Sequence, residues 1–185
     1  ALLPLAAMVL SSLRENQFLW AWPTGPSMRW YLEFADARTI HSAMLRGCIV
    51  AVAVAIASCL LGFLSAYRIS RVVGRDRFAL IAITTPALLP ALVYGLALMK
   101  TAALVGLGQG MLLVFLGHTV VFSPVATGIF YYFLQALDSS AEVAAEELGA
   151  TRLRIQWTVV AAQLQRPWLA AFGVIAFLSW DEFVI

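Results

Sequence analysis

Long stretches of this sequence contain no Asp, Glu, Lys or Arg. They run from Gly47 to Tyr67, from Phe78 to Met99 and from Thr101 to Leu137. In the whole chain 62% of the residues are hydrophobic and only 12% are charged, whereas about a quarter of the residues in a soluble domain are charged. A globular core of this size cannot bury so much apolar surface. The sequence therefore predicts a helical protein embedded in a lipid bilayer and excludes a soluble or disordered chain.

The apolar runs provide about five transmembrane helices, at about 20 residues for each span. The predicted spans are Ala1 to Leu13, Gly47 to Tyr67, Phe78 to Met99, Met111 to Leu134 and Trp168 to Trp180. Because the ends of the sequence interrupt apolar runs, we expect the chain to be a segment of a longer membrane protein. Pro86, Pro90 and Pro124 lie within predicted spans, which indicates either broken helices that line a pathway or ordinary packing kinks.

A cluster of arginines follows the second predicted span and sets the orientation. Its members are Arg68, Arg71, Arg75 and Arg77. Because Lys and Arg resist translocation, this loop is predicted to lie in the cytoplasm. Alternation then places Gln135 to Pro167 in the cytoplasm and Lys100 to Gly110 outside. The segment from Arg14 to Arg46 also falls outside, against its own arginines, but its aromatic residues suit a stretch in the membrane interface. These aromatic residues are Trp20, Trp22, Trp30 and Tyr31.

The cytoplasmic segment after the fourth span has the pattern of two short helices joined by a turn. Ser139 and Glu142 fit a capping box, which satisfies the free amides at the start of a helix. Gly149 is placed to adopt the left-handed conformation that ends a helix. A second helix is predicted from Leu153 to Leu164, and Pro167 then leads into the last span. Such a helix suits docking into a groove of another protein, or it is a plain interfacial linker.

Part of this segment resembles a known family motif. The stretch Val143-Ala-Ala-Glu-Glu-Leu-Gly-Ala150 resembles the EAA loop of binding-protein-dependent ABC importer permeases. The ending from Ala176 to Ile185 is similar to the span that follows this loop in the polyamine-type subgroup. The stretches Thr85 to Gly95 and Gly117 to Pro124 are similar to the third and fourth spans of the family. Together the resemblance covers roughly Ser42 to Ile185.

The resemblance implies an all-α, polytopic transmembrane helical bundle with the type I ABC importer permease fold. Residues 1–185 would form a single permease domain whose cytoplasmic coupling loop lies at about 138–166. The residues implied in coupling to an ATPase are Glu142, Val143, Ala144, Ala145, Glu146, Leu148, Gly149 and Ala150. Glu142 and Glu146 would pair with basic residues of the ATPase cleft. The sequence departs from the family pattern at Val143, where the first glutamate of the loop is expected; Glu142 lies one position earlier.

The resemblance also implies partners for the chain. These are a cytoplasmic ABC ATPase dimer, a second permease subunit that is homologous or identical, an extracytoplasmic solute-binding protein and the lipid bilayer of the bacterial inner membrane, which the chain would cross several times. The only lysine, Lys100, lacks the glycines of a phosphate-binding loop. We therefore expect no cofactor and no catalytic site in this chain, and ATP would be hydrolysed by the partner. The net charge of +2 gives no indication of nucleic-acid binding.

Asp181, Glu182 and His118 are the candidate residues of a substrate pathway. An ionised side chain at mid-bilayer costs roughly 2.5–3.5 kcal/mol, so such residues usually face a cavity or a partner. The two acids therefore either line the pathway of a cationic solute or lie outside the hydrocarbon at a helix end or subunit interface. His118 is either a polar contact in the pathway or a packed neutral histidine. The two histidines are well separated, which gives no support for a metal site.

Other classes of membrane protein lack sequence support. A secondary transporter or channel that works without an ATPase is the main alternative, but it calls for an inverted repeat or a chain of intramembrane charges. An intramembrane enzyme would need a catalytic constellation, which scattered serines and histidines do not provide. Within the resembled family a polyamine-like solute is expected. Iron, thiamine, phosphonate and other small solutes stay open.

Overall fold

The structure, a computed structural model, describes residues 3–15, 25–71, 81, 85 and 89–182. The described helices are α1 (Leu3–Ser12), α2 (Arg29–Asp36), α3 (Arg38–Arg71), α4 (Ala91–Leu104), α5 (Met111–Ala136), α6 (Ser140–Glu147), α7 (Arg152–Arg154), a π-helix (Ile155–Val160), α8 (Ala161–Gln163) and α9 (Gln165–Asp181). Across these ranges, extended pairing is limited to an isolated bridge between Arg14 and Pro26. The predicted all-α class is confirmed.

Helices α3 and α5 are long and apolar enough to cross a bilayer, with 34 and 26 residues. A third span is obtained if Arg152–Gln163 and Gln165–Asp181 are counted as one span with an 80° bend. Helices α1 and α4 are apolar but shorter. Much of the third predicted span, including Pro86, lies outside the described residues. The multi-helix membrane fold is thus confirmed, while the count of five spans stays a prediction.

The chain divides into two compact units, Ala1–Arg46 and Gly47–Ile185. In the first unit, the Trp30 indole donates a hydrogen bond to the carbonyl oxygen of Arg14 at 2.6 Å. The hydroxyl groups of Tyr31 and Ser12 lie 2.7 Å apart. Two of the aromatic residues predicted for a membrane interface therefore bind the end of α1 and the residues after it, whereas Trp20 and Trp22 lie outside the described residues.

The core of the second unit is built where α3 crosses α5. Small residues let these helices approach closely, as is common between membrane helices. Gly62 of α3 lies directly on α5, since a Cβ atom there would overlap the Ala126 methyl group and come within 2.8 Å of the Ala126 carbonyl carbon and the Thr127 nitrogen. Ala55 and Ala66, on the same helix as Gly62, are fully buried. The α3–α5 contact is therefore backbone against backbone.

An aromatic cluster fills the part of this core that lies beside the predicted cytoplasmic segment. The Phe63 ring of α3 lies 5.7 Å from Phe130 of α5, 5.4 Å from Trp157 of the π-helix and 5.3 Å from Trp168 of α9, measured between ring centroids. Phe63 and Phe130 are fully buried. Aromatic pairs at these separations add to the apolar burial that they already provide. The cluster thereby joins the transmembrane helices to the predicted cytoplasmic segment.

The prolines do not break the described helices. Pro124 lies inside α5, which continues from Met111 to Ala136. A proline removes the hydrogen bond to the carbonyl four residues earlier, and here the Ser123 hydroxyl donates a long hydrogen bond of 3.5 Å to the Val120 oxygen. Pro90 is the non-helical residue before α4, so it lies at the start of that helix and not inside a helix as predicted. At Pro124 the structure therefore supports the packing-kink interpretation.

Candidate functional site

Helix α6, the first helix of the predicted coupling loop, begins differently from the predicted capping box. Asp138 accepts hydrogen bonds from the Ser140 amide at 3.0 Å and from the Ser140 hydroxyl at 2.9 Å. Ser139 makes no side-chain capping bond, because its backbone is already in a helical conformation rather than the extended one that a capping side chain needs. The prediction of a capping box at Ser139 and Glu142 was therefore wrong. Both hydrogen bonds to the carboxylate lower the pKa of Asp138 below its usual value.

Helix α6 ends at a glycine turn, as the sequence predicts. Gly149 has a φ of +80°. Its amide donates to the Glu146 carbonyl at 2.9 Å, and the Ala150 amide donates to the Ala145 carbonyl at 3.0 Å. These two bonds form a Schellman motif, which satisfies the last carbonyls of the helix. No atom lies within 4 Å of a Cβ placed on Gly149, so glycine is required here by backbone conformation and not by space.

The second predicted helix is not continuous. It begins at Arg152 after Thr151, whose hydroxyl accepts from the Arg154 amide at 3.4 Å. A π-helix then occupies Ile155–Val160, and the chain bends by 80° between Gln163 and Gln165. The last span therefore begins before Pro167 and not after it. A π-helix fits one extra residue into a turn, which a pattern of apolar spacing does not reveal.

The apolar face predicted for this segment is only partly buried. Ile155, Val160 and Leu164 are buried as predicted. Leu153 is 67% exposed, and Trp157 is 39% exposed although its ring contacts Phe63. The prediction of one apolar face for the segment was therefore right for three of its five positions; the two exposed residues lie before the π-helix (Leu153) and within it (Trp157).

The coupling-loop residues fall into two groups. Glu142, Ala145 and Ala150 are partly buried, and the two alanines pack against the core. The exposed group is Val143, Ala144, Glu146, Leu148 and Gly149. In this group Leu148 is 89% exposed and Val143 is 50% exposed. The exposed group thus presents apolar side chains outward beside the glycine turn.

Glu142 does not point away from the protein. Its Oε1 atom lies 2.9 Å from Nη2 and 3.1 Å from Nε of Arg71, the last residue of α3. The same Nη2 donates to the Leu134 carbonyl oxygen at 3.4 Å. The side chains of Arg71 and Glu142 are only 24% and 12% exposed. Arg71 is thus a site residue that the sequence did not indicate beyond its place in the basic loop.

The candidate pathway residues are brought together only in part. His118 is 2% exposed, and its Nδ1 atom lies 2.8 Å from the Ser179 hydroxyl of α9. Glu182 follows the end of α9 and is partly buried. Asp181 is the last residue of α9 and is exposed. Ser179, which the sequence analysis did not single out, therefore connects His118 to the last turn of α9.

Within the described ranges, no group of three or more His, Cys, Asp or Glu residues is placed to hold a metal ion. The buried Nε2 atom of His118 has no hydrogen-bond partner there either. The candidate site thus consists of the structured loop that is predicted to be cytoplasmic and of a small polar contact between α5 and α9.

Residues 27–185 match the model of a family described as "binding-protein-dependent transport system inner membrane component". The chain belongs to this family. The match begins earlier than Ser42, where the recognisable motifs start, so the resemblance extends over more of the chain than those motifs indicate. The predicted resemblance is confirmed, and the protein is a transport permease and not an enzyme.

Individual relatives indicate a subgroup of the family that the chain resembles in sequence. The chain is 30% identical over 192 residues to the putrescine transport system permease protein PotI of Escherichia coli, an alignment that covers 98% of this chain and 67% of the relative. It is 23% identical to the spermidine/putrescine transport system permease protein PotC of Haemophilus influenzae, with 99% of this chain and 71% of the relative covered. These relatives support a polyamine-type ABC importer permease.

A further relative is a permease for a different kind of solute. The chain is 26% identical to the sulfoquinovosyl glycerol transport system permease protein SmoH of Agrobacterium fabrum, with 88% of this chain and 58% of the relative covered. The family therefore includes permeases for unlike molecules. The chain is a permease subunit of an ABC importer, and membership of the family does not by itself identify the solute.

Proposed function

We propose that this subunit forms half of a solute pathway and that a cytoplasmic ATPase drives it by binding the loop at about 138–166. The main support is the Gly149 turn, which gives α6 a defined end and leaves Leu148 and Val143 exposed. In this proposal a second permease subunit completes the pathway, and an ATPase dimer binds and hydrolyses ATP. An extracytoplasmic binding protein delivers the solute, and this chain binds no cofactor.

The contacts behind α6 support a role in transmitting motion. Ala145 and Ala150 pack against the core, and α6 also contacts the π-helix Ile155–Val160. Trp157 of that π-helix contacts Phe63 of α3. A force applied to α6 would therefore reach the transmembrane helices through packed side chains, which resist gradual deformation.

We propose a polyamine-like cation as the solute. Two of the relatives described above are permeases for putrescine or spermidine. The acids Asp181 and Glu182 at the end of α9 are suited to attract a cation. Because another relative is a permease for sulfoquinovosyl glycerol, the proposed solute is tested by direct measurement of putrescine uptake.

A substitution at Gly149 tests the coupling role. In Gly149→Asp, a side chain is forced into the left-handed conformation, at a cost of roughly 1–2 kcal/mol, and a charge is placed on the exposed turn. We expect uptake of radiolabelled putrescine to be abolished while the protein level in the membrane is unchanged. The assay is ATP-dependent uptake by cells or vesicles that contain the complete transporter.

Gly106 provides the matched control. It also has a positive φ, +72°, with no atom within 4 Å of an added Cβ, and it lies in the turn after α4 instead of the coupling loop. Gly106→Asp carries a similar backbone strain and is expected to retain most of the uptake. Normal uptake by Gly149→Asp would refute the coupling role, and equal losses in both variants would mean that strain alone explains the effect.

A further inference from the structure

Arg71 joins helices that a coupling movement would have to move together. We propose that Arg71 is a positioning residue whose ion pair with Glu142 fastens α6 to the cytoplasmic ends of α3 and α5. This inference rests on the proposed function, because it describes how a movement of α6 reaches the membrane helices. It assigns Glu142 to a contact within the chain instead of a contact with the ATPase.

The geometry of the guanidinium group carries the inference. Nε and Nη2 of Arg71 both reach Oε1 of Glu142, at 3.1 and 2.9 Å. Nη2 also reaches the Leu134 carbonyl oxygen at 3.4 Å. The guanidinium thus contacts α5 and α6 while its backbone ends α3. Charge-assisted hydrogen bonds are stronger than neutral ones, and both side chains are mostly shielded from water, with 24% and 12% exposure.

The charges at the helix ends favour this arrangement. The last carbonyl groups of a helix have no partners within the helix and carry partial negative charge, while the first turn carries partial positive charge. Arg71 is in the last turn of α3 and bonds the carbonyl of Leu134 near the end of α5. Glu142 is in the first turn of α6. Each charged group therefore interacts favourably with the helix end beside it as well as with its partner.

The position of the glutamate within α6 explains why it faces inward. Successive residues of an α-helix are rotated by about 100° around its axis. Val143, which stands where the resembled family has its first loop glutamate, is 50% exposed, whereas the Glu142 side chain is 12% exposed. A shift by one residue thus moves the carboxylate from the exposed side of α6 to the side that faces Arg71.

The ion pair adds a link that the chain itself does not provide. Helix α5 is connected to α6 by the short segment 137–139, but α3 is distant from α6 in sequence, since Glu142 comes 71 positions after Arg71. Because Gly62 packs directly against Ala126, α3 and α5 are already in close contact. With Arg71 in place, α6 is held to both helices of this pair and is expected to move with them.

The experiment measures transport and ATP hydrolysis together in the complete transporter, reconstituted in liposomes with its ATPase and binding protein, with putrescine as the probe. In Arg71→Gln and in Glu142→Gln we expect the putrescine transported per ATP to fall by about tenfold, within the range of coupling contacts. The ATPase should co-purify at wild-type levels. The double variant should be no worse than either single variant, because both changes remove one interaction.

The exchange Arg71→Glu with Glu142→Arg keeps the test decisive if the single variants are poorly produced. It should raise the ratio of transport to hydrolysis above that of either single charge reversal, but not to the wild-type value, because it also reverses both charges at the helix ends and removes the bond to Leu134. Production at wild-type levels with a ratio no higher than that of either single reversal would contradict the inference. Arg68→Gln is the matched control, because Arg68 is an exposed arginine one turn earlier on α3, and its ratio should equal that of the wild type.

Other results would overturn the inference in recognisable ways. If Glu142→Gln loses the ATPase during purification while Arg71→Gln keeps it, Glu142 binds the ATPase directly. If both variants keep the wild-type ratio of transport to hydrolysis, the ion pair does not transmit motion. Failure of the proposed function has a different signature, which is normal uptake by Gly149→Asp.

Discussion

The close contact of α3 with α5 makes Gly62 the position where one added methyl group should be most damaging. A Cβ atom there overlaps the Ala126 methyl group and lies 2.8 Å from the carbonyl carbon of Ala126 and from the nitrogen of Thr127. Carbon atoms in favourable contact are about 3.5–4.0 Å apart. In Gly62→Ala the helices must therefore separate by about 1 Å at this point, because backbone atoms cannot rotate away.

The size of the effect follows from opposing contributions. Overpacking a core costs about 1–3 kcal/mol, and we expect the upper end because two of the three clashing atoms belong to the backbone. Replacing a helical glycine with alanine contributes about 1 kcal/mol in the other direction. The net loss in the free energy of unfolding is therefore about 2 kcal/mol. It is measured by denaturant unfolding of the purified protein in detergent micelles.

Two further variants separate steric overlap from other effects of a substitution. Gly128→Ala adds a methyl group to α5 where no atom lies within 4 Å, so it should be neutral or stabilise by up to about 1 kcal/mol. Adding Ala126→Gly to Gly62→Ala removes the methyl overlap but leaves the backbone contacts at 2.8 Å, so it should rescue stability only in part. If Gly62→Ala is as stable as the wild type while Gly128→Ala behaves as expected, the helices are not packed in this way.

Predictions for the pathway acids and for the start of α6 complete the set. Glu182→Gln and Asp181→Asn should each raise the KM for putrescine uptake about fivefold, as expected for loss of a screened ion pair of about 1 kcal/mol, and an unchanged KM would exclude that acid from the pathway. The depressed pKa of Asp138 means that its stabilisation of α6 is present above the usual pKa of an aspartate and is lost as the pH falls through the lowered value. The hydrogen-exchange protection factor of the Ser140 amide should therefore decrease over that range in the wild type and stay independent of pH in Asp138→Asn.

Local features of the candidate site were predictable from the sequence. The Gly149 turn was predicted because a left-handed residue at a helix end is a matter of backbone conformation that glycine alone adopts at little cost. The capping box failed although it was also local, because Asp138 competes with Ser139 for the first free amides of α6 and binds the Ser140 amide. Neighbouring residues with similar capping ability leave such a choice open until the backbone is known.

Long-range contacts were not predictable. The Arg71–Glu142 pair spans 71 residues and the His118–Ser179 contact spans 61. Each depends on how far one helix is rotated about its axis and shifted along its neighbour. The π-helix at Ile155–Val160 was also missed, since its apolar residues fit an α-helical pattern almost equally well and packing of Trp157 against Phe63 accompanies the wider turn.

The sequence by itself determined that the chain is a helical membrane protein, and it predicted the coupling loop after the fourth predicted span. Hydrophobicity and turn conformation depend on a residue and its nearest neighbours, so they can be read along the chain. Only the tertiary structure decided that Glu142 faces Arg71 while Val143 faces outward. Neighbouring residues of α6 differ by a rotation of about 100° around the helix axis. Which of them faces inward depends on the packing of α3 against α5 at Gly62, because that packing fixes the position of the Arg71 side chain.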